Sequence, residues 1–313
     1  MKVAVLKGGR SLERGVSLRS GARVEDALSR LGHEPLPVDV GSGLVEELIA
    51  ERPDAAFVAL HGRGGEDGTV QELLEILDIP YTGPGVAACG RCMDKVGAKH
   101  ELREAGIPTP DWFAFNATAF RELGAADALE QIEARLGFPL VVKPASGGSA
   151  LGVKLVAGRD DVPEALVAAF SYDDRVLLER YVSGRELAVS VLGSEALPIV
   201  EAMPRDGDLY DFEARYEIGR TDFVCPAQLE QSVAAAVSGA ALRAFEALGC
   251  SGVSRVDLML GESGPEVLEV NAIPGLTDTS LLPQAAEAAG LGFDELVERV
   301  LELALERPRP VAT

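Results

Sequence analysis

Near its carboxyl end the chain reads GVSRVDLML over residues 252–260 and EVNAIPGLTDTSLLP over residues 269–283. The apolar runs at 253–260 and 267–271 predict two buried strands that carry charged side chains. Because alternate residues of a strand share a face, Arg255 lies on the face of Asp257, and Glu269 on the face of Asn271. Two such strands side by side would form one wall with two carboxylates, an amide and a guanidinium.

This wall has the chemistry of a magnesium site. Mg²⁺ takes a few protein oxygens and completes its coordination with substrate oxygens such as those of phosphates. A surface hairpin with solvated charges is the alternative interpretation. Carboxylates inside a buried strand are costly unless they are used, so we favour a metal site formed by Asp257, Glu269 and Asn271.

Composition limits the classes of function. The chain has 313 residues, of which 47% are hydrophobic and 25% charged, enough for more than one packed unit. The net charge of -21 argues against a nucleic-acid partner, because phosphate backbones need a basic surface, but it allows a nucleotide. No apolar run is long enough to cross a membrane, and the first apolar run is too short for a signal peptide. We therefore expect a cytoplasmic protein that does not bind membranes.

Two cysteines, Cys89 and Cys92, have the C-x-x-C spacing of redox and zinc sites. No second pair and no neighbouring histidine completes a zinc set. We favour a structural role for both, and disulfides are not expected in the cytoplasm.

Strands and helices alternate in the first part of the chain. Short strands at 3–6, 36–40, 56–60 and 79–82 enclose helical segments, which predicts a doubly wound parallel sheet. Ligands bind in loops at the carboxyl ends of such strands, here residues 7–13 and 61–68. Farther on we predict an α+β unit, with a helix over 119–136, and then a unit of longer strands. The expected domains are 1–92, 93–178 and 179–313.

A Gly/Ser-rich loop follows a strand-end lysine in KPASGGSALG (143–152). Glycines let backbone N–H groups approach phosphate oxygens, and Lys143 adds positive charge. The P-loop pattern G-x-x-x-x-G-K-[ST] does not occur in the chain, and a plain flexible turn remains an alternative. Another strand ends at 179–182 with Glu186 shortly after, a weak signal for adenine and ribose binding.

Together these segments resemble the ATP-grasp enzymes, and most closely the D-alanine–D-alanine ligases. The resemblance extends from residue 3 to about residue 305. Besides the two segments quoted first, it rests on the following motifs: GG (8–9) with SLERGVS (11–17), ALHGRGGEDGTVQ (59–71), PYTGPG (80–85), MDK (93–95), VVKPASGGSALGV (141–153), YDFEARY (210–216) and CPA (225–227). It implies an α/β fold of three-domain ATP-grasp architecture, with an amino-terminal doubly wound parallel sheet and two α+β units that clasp ATP.

The resemblance also implies which residues bind ATP and metal. The phosphate contacts would come from Lys95 and Lys143, with the loop that contains Ser149 closing over them. The adenine pocket and ribose contacts would come from Glu179, Tyr181, Val182 and Glu186, and Arg215 would also serve ATP. Two Mg²⁺ ions, or Mn²⁺, would be held by Asp257, Glu269 and Asn271.

The implied reaction joins two D-alanines through an acyl phosphate, for peptidoglycan synthesis, in a homodimer. Glu13, with His61 nearby, would bind the ammonium group of the first D-alanine, and Arg255 and the Gly275 backbone would face the reacting centre. Ser280 and Leu281 would hold the second carboxylate at a helix N-terminus. Tyr216, with Ser149 and Glu13, would hold the 205–222 loop down as a lid.

The chain departs from the family pattern at a few positions, namely Gly15, Gly147, Ala150, Arg215 and Ala272. These departures leave two alternatives open. The enzyme could use another D-amino or D-hydroxy acid as acceptor, or the chain could be an inactive nucleotide-binding paralogue. The complete set of metal ligands argues against the second alternative.

Overall fold

The computed structural model describes residues 1–124, 128–204 and 221–307. Its amino-terminal part is built on parallel strands in the order β2-β1-β3. These strands are β1 (Lys2–Lys7), β2 (Glu34–Asp39) and β3 (Ala55–Val58), and the helices between and after them are α1 (Arg14–Arg30), α2 (Leu44–Glu51) and α3 (Thr69–Ile76).

Both faces of this sheet are covered, which confirms the doubly wound prediction. Val3 and Val5 of β1 pack on the side of α1, whereas Ala4 and Leu6 pack on the side of α2 and α3. The alternation follows from the two-residue period of a strand. The strand expected at 79–82 is reduced to a single bridge, between Tyr81 and Ala56.

Two short helices, α4 (Val86–Met93) and α5 (Lys95–Glu104), lead out of the first unit. Asp94 separates them, and its carboxylate caps α5 by accepting from the backbone N–H of Val96 and Gly97. The Sγ atom of Cys92 on α4 lies 3.5 Å from that of Cys250. All four cysteines are free thiols, so the C-x-x-C spacing forms no disulfide here.

The second unit is an antiparallel sheet in the order β4-β7-β5-β6. Its elements are β4 (Trp112–Asn116), α6 (Ala117–Glu122), α7 (Leu129–Leu136), β5 (Leu140–Pro144), β6 (Lys154–Val156), α8 (Val162–Phe170) and β7 (Arg175–Arg180). The prediction of one helix over 119–136 was wrong, because α6 ends at Glu122. Gly124 then adopts a positive φ of 73°, which a helix does not accommodate. The Gly/Ser-rich loop connects β5 to β6.

The third unit contains the long strands, in the order β11-β10-β8-β12-β13, with β9 beside β8. The strands are β8 (Arg185–Leu192), β9 (Glu195–Ala196), β10 (Val200–Pro204), β11 (Thr221–Val224), β12 (Val253–Gly261) and β13 (Gly264–Asn271). The helices are α9 (Gln231–Ala247), α10 (Leu281–Ala288) and α11 (Phe293–Glu306). No helix in the described ranges is both long and apolar enough to span a membrane.

The hydrophobic cores show how the units are joined. One core runs from α2 and α3 through α5 to α9 and the third sheet, and another joins α1 to α10 and α11. The second unit has a core of its own and meets α5 through a small cluster around Trp112. The first and third units are therefore firmly packed together. The second unit packs against them as a separate body with its own core.

Two substitutions in helix α3 test how much the buried core contributes to the free energy of unfolding. Leu74 is fully buried and Ile76, two residues away, is 78% exposed. Leu74→Ala should lower the free energy of unfolding by about 2–5 kcal/mol, because it leaves a cavity under the sheet. Ile76→Ala should change it by less than about 0.5 kcal/mol. Urea unfolding followed by circular dichroism compares the two, and equal destabilisation would contradict the assignment of the buried face.

Candidate active site

The charged wall predicted from the sequence is present on β12 and β13. The antiparallel register places Arg255 opposite Asn271 and Asp257 opposite Glu269. The guanidinium of Arg255 donates to both carboxylate oxygens of Asp257, at 2.7 and 2.8 Å, and the Asn271 amide donates to Oδ2 at 3.0 Å. Asp257 is only 4% exposed, so these donors replace the water that a carboxylate would otherwise bind.

A cleft of about 310 Å³ lies between the second and third sheets. Its walls come from β5, β7, β8 and β12, together with the Gly/Ser-rich loop. Residues predicted to bind ATP or metal line it: Lys95, Lys143, Glu179, Tyr181, Val182, Glu186, Asp257 and Glu269. The structure thus brings together side chains that are up to 174 positions apart in the sequence, from Lys95 to Glu269.

Glu179 lies in the wall of this cleft between two lysines. Its Oε1 accepts from Lys143 Nζ at 2.8 Å, and its Oε2 lies 2.6 Å from Lys99 Nζ. Burial alone would raise the pKa of Glu179, but Lys143 and Lys99 together hold that pKa below its usual value. Burial lowers the pKa of Lys99 to about 8, although Glu179 favours its charged form.

Lys95 joins the Gly/Ser-rich loop to the charged wall of β12 and β13. Its Nζ donates to the backbone carbonyl of Gly147 and lies 3.4 Å from Oε2 of Glu269. Gly147 has a φ of 106°, a conformation that side-chain-bearing residues rarely adopt. Glycine, which departs from the family pattern here, adopts this geometry without strain. Ala272, another departure, is buried beside Asn271.

A second, smaller cavity of about 50 Å³ adjoins the wall. It receives side chains from all three units: Glu13 and His61 from the first, Ser149 from the second, and Arg255 with Asn271 from the third. Gly275, Ser280 and Leu281 also line it. Arg255 lines this cavity whereas Asp257 lines the larger cleft. The Arg255–Asp257 ion pair therefore lies at the boundary between the two spaces.

Glu13 reaches across this cavity to the Gly/Ser-rich loop, where its Oε1 accepts a hydrogen bond from Ser149 Oγ. The approach is close, because a Cβ atom at Gly62 would lie 2.5 Å from Oε2 of Glu13. A side chain at position 62 would therefore displace this carboxylate. Ser149 itself has a φ of 54°, a strained conformation that the loop maintains at the cavity.

His61 is held in place from two sides. Its Nε2 lies 3.1 Å from Ser20 Oγ, which also accepts from the backbone N–H of Leu276, and its Nδ1 lies 3.3 Å from Glu66 Oε1. Burial raises the pKa of Glu66, with the neighbouring Glu13 carboxylate adding to the shift and His61 opposing it.

Ser280 precedes helix α10, at its N-cap position. Its Oγ accepts from the backbone N–H of Thr277 at 3.0 Å, and a Cβ atom at Gly275 would lie 2.7 Å from that oxygen. The glycine thus leaves room for the hydroxyl at the cavity. Ser280 and the first turn of α10 together offer donors suited to an anion.

The residues present fit a magnesium ion. Within the described residues, no cluster of three or more His, Cys, Asp or Glu side chains could hold a metal alone. The wall supplies two carboxylates and an amide oxygen, all hard ligands. Asp257 and Glu269 line the larger cleft, and Asn271 lines the smaller cavity beside it. Mg²⁺ typically completes such an incomplete set with phosphate oxygens and water.

Some site residues were missed from the sequence, and some predicted ones lie outside the described residues. Arg215 and Tyr216 were predicted but lie outside the described residues. The residues that were missed are Lys99, Ser20 and Glu66. The spacing of Lys99, four residues after Lys95 on one helix, could have indicated that both lie on the same helix face. Glu66 lies in the loop 61–68 that the sequence predicts to bind ligands, whereas nothing in the local sequence indicates Ser20.

Comparison with known proteins agrees with this geometry. Family models described as D-ala D-ala ligase N-terminus and C-terminus match residues 42–84 and 102–302. A D-alanine–D-alanine ligase of Syntrophotalea carbinolica is 46% identical over 300 residues, covering 96% of this chain and 95% of the relative. One from Alcanivorax borkumensis is 48% identical, covering 98% and 95%.

Solved structures agree as well. The D-alanine–D-alanine ligase of Bacillus anthracis in complex with ATP is 36% identical, with a TM-score of 0.83 and 97% of each chain covered. The VanG D-Ala:D-Ser ligase of Enterococcus faecalis is 28% identical, with a TM-score of 0.81, covering 97% of this chain and 99% of its own. With the fold, the charged wall and the two cavities in place, these similarities show that the chain belongs to the D-alanine–D-alanine ligase family.

Proposed function

We propose that the protein uses ATP to join two molecules of D-alanine into D-alanyl-D-alanine, for peptidoglycan synthesis. The observation that carries this proposal is the Arg255–Asp257 pair, which links a cleft of nucleotide size to a small polar cavity. Relatives named for D-alanine at both positions reach 48% identity, against 28% for the D-Ala:D-Ser ligase, which favours D-alanine as the acceptor.

ATP would occupy the larger cleft. The apolar contacts of Val182 and the backbone at Tyr181 suit an adenine ring, and Glu186 on β8 suits ribose hydroxyls. Lys95 and Lys143 offer ammonium groups to the phosphates beside the Gly/Ser-rich loop, whose Ser149 faces the smaller cavity. The role of Arg215 belongs to the same proposal and rests on the sequence resemblance.

Asp257, Glu269 and Asn271 would hold Mg²⁺, with Mn²⁺ as a substitute; two ions are expected. The metal would neutralise phosphate charge and so make the terminal phosphoryl group easier to transfer. The cations Lys95 and Arg255 contact the two carboxylates of this set, and so keep them aligned along the wall.

The D-alanines would occupy the smaller cavity. Glu13, oriented by Ser149 and close to His61, suits the ammonium group of the first substrate. The carboxylate oxygen of this first D-alanine attacks the terminal phosphorus of ATP, ADP leaves, and the acyl phosphate of D-alanine forms. The amine of the second D-alanine then attacks the acyl carbon, and inorganic phosphate leaves. Arg255 and the Gly275 backbone would stabilise the charge that develops on oxygen.

The second D-alanine would be fixed by its carboxylate at Ser280 and Leu281, where α10 begins. Tyr216 would close the cavity with Ser149 and Glu13, which protects the acyl phosphate from water. We also propose the domain division 1–92, 93–178 and 179–313, a homodimer, and action in the cytoplasm, where ATP is available. The resemblance to the family supports these three statements.

Phosphate release tests the function directly. With ATP, Mg²⁺ and D-alanine the protein should release phosphate, and mass spectrometry should find the D-alanyl dipeptide. Chelation of the metal should stop the release, and added Mg²⁺ should restore it. D-lactate and D-serine serve as comparison acceptors. ATP binding without any dipeptide would overturn the proposal in favour of another acceptor or an inactive paralogue.

Glu269→Gln should lower turnover by at least about 100-fold, because it removes one of the two carboxylates of the proposed metal set. The fold should persist, since Glu269 lies at a half-buried strand end. Glu262→Gln, at an exposed turn of the same hairpin, is the matched control and should keep normal turnover. Near-normal activity of Glu269→Gln would refute the metal assignment.

Ser280→Ala should raise the KM for D-alanine by about 10- to 100-fold, the usual effect of losing a hydrogen bond to a charged group. The KM for ATP should stay within about twofold, because Ser280 lies in the smaller cavity only. Steady-state kinetics with each substrate varied separately measures both constants. If only the KM for ATP rises, the second D-alanine does not bind at Ser280.

A further inference from the structure

Lys99 is a buried cation that none of the roles assigned so far uses. It lies on α5, one turn after Lys95, and is 0% exposed. Its ammonium group has oxygen atoms around it: Thr109 Oγ1 at 2.6 Å, the Pro110 carbonyl at 3.0 Å and Glu179 Oε2 at 2.6 Å. Thr109 and Pro110 each accept one of its N–H donors, and the Glu179 carboxylate pairs with its charge.

The contacts of Lys99 join α5 to two strands of the site. Through Glu179 it reaches β7 and the wall of the ATP cleft. Through Thr109, whose hydroxyl donates to the carbonyl of Val267 at 2.8 Å, it reaches β13, the strand that carries Glu269. This buried side chain therefore connects the wall of the ATP cleft to the strand that carries Glu269, beside the ion pair between Arg180 and Glu266.

The charges show why a second lysine is needed here. Lys143 and Glu179 by themselves would form a neutral buried pair, in which the carboxylate holds the lysine strongly. With Lys99 on the other carboxylate oxygen, the cluster of Lys99, Lys143 and Glu179 carries a net charge of about +1. Glu179 then shares its charge between two cations, and Lys143 keeps part of its attraction for an anion in the cleft.

We infer that Lys99 is a positioning residue for ATP: it holds Glu179 from behind, so that Lys143 remains oriented and available for the phosphates. The inference rests on the proposed ATP site. Lys99 is screened from the cleft by Glu179 and is not itself a catalytic residue.

The proton of Lys99 gives this role a measurable signature. Burial lowers its pKa to about 8, whereas an ordinary lysine stays charged to about pH 10. As the pH rises through 8, Lys99 loses its proton and no longer shares the charge of Glu179, Glu179 then attracts Lys143 more strongly, and ATP affinity should fall. Other charged or titratable groups also surround this site: Lys143, Glu179, Arg180, Glu266, Asp111, Arg103 and His100.

The experiment is the Kd of ATP in the presence of Mg²⁺, measured by calorimetry between pH 7 and 9.5 without D-alanine. Lys99→Met, which removes the charge and keeps an unbranched side chain one atom shorter, should raise the Kd at pH 7 by about tenfold or more and make it independent of pH. Lys154→Met is the matched control, since Lys154 is exposed on β6 of the same unit, and it should behave as the unaltered protein does.

A double variant tests whether Lys99 acts through Glu179. In a Glu179→Gln background, Lys99→Met should change the Kd by less than about twofold, because the carboxylate that it positions is already neutral. If Lys99→Met raises the Kd by the same factor in the Glu179→Gln background as in the unaltered protein, the inference is overturned. So would a folded Lys99→Met variant that binds ATP normally.

Two further results separate the inference from the proposed ATP site. If Lys143→Met weakens ATP binding and Lys99→Met does not, only the positioning role of Lys99 fails. If Lys143→Met binds ATP normally, the proposed site itself is wrong. Should Lys99→Met fail to fold, the unaltered protein still decides: an ATP affinity that stays constant from pH 7 to 9.5 would overturn the inference.

Discussion

The burial of Asp257 is the constraint on which the rest of the site depends. A carboxylate with so little exposure needs donors in fixed positions, and Arg255 and Asn271 supply them from the same and the adjacent strand. This requirement fixes the register of β12 and β13, which in turn sets Glu269 opposite Asp257. The same contact places a guanidinium at the small cavity and a carboxylate at the cleft, so a structural need and the proposed chemistry are met by one ion pair.

A second buried carboxylate, Glu179, follows the same rule with different partners. Asp257 is balanced by an arginine, which holds both its oxygens in one plane, whereas Glu179 is divided between two lysines. The first arrangement is rigid and suits a wall that separates two substrates. The second leaves one lysine facing the cleft. The difference in geometry corresponds to the difference in the proposed roles, one at the reacting centre and the other at the phosphates.

The position of the cavities follows from how the units pack. The first and third units share hydrophobic cores, which hold Glu13 and His61 close to Arg255. The second unit has a separate core and contributes the Gly/Ser-rich loop through β5 and β6. Its contact with the first unit at the cavity is the hydrogen bond between Ser149 and Glu13. A unit with its own core, joined by such polar contacts, is suited to opening for substrates and closing over them.

The sequence by itself determined the alternation of strands and helices, the doubly wound sheet, and the faces on which Asp257, Glu269 and Asn271 lie. Periodicity encodes these features locally, since a residue's face depends only on its position within its own element. The tertiary structure alone decided the contact of Cys92 with Cys250, the support of His61 by Ser20, and the burial of Lys99 behind Glu179. Those pairings join residues far apart in the chain, and they depend on how whole elements pack, a property that no local pattern of residues contains.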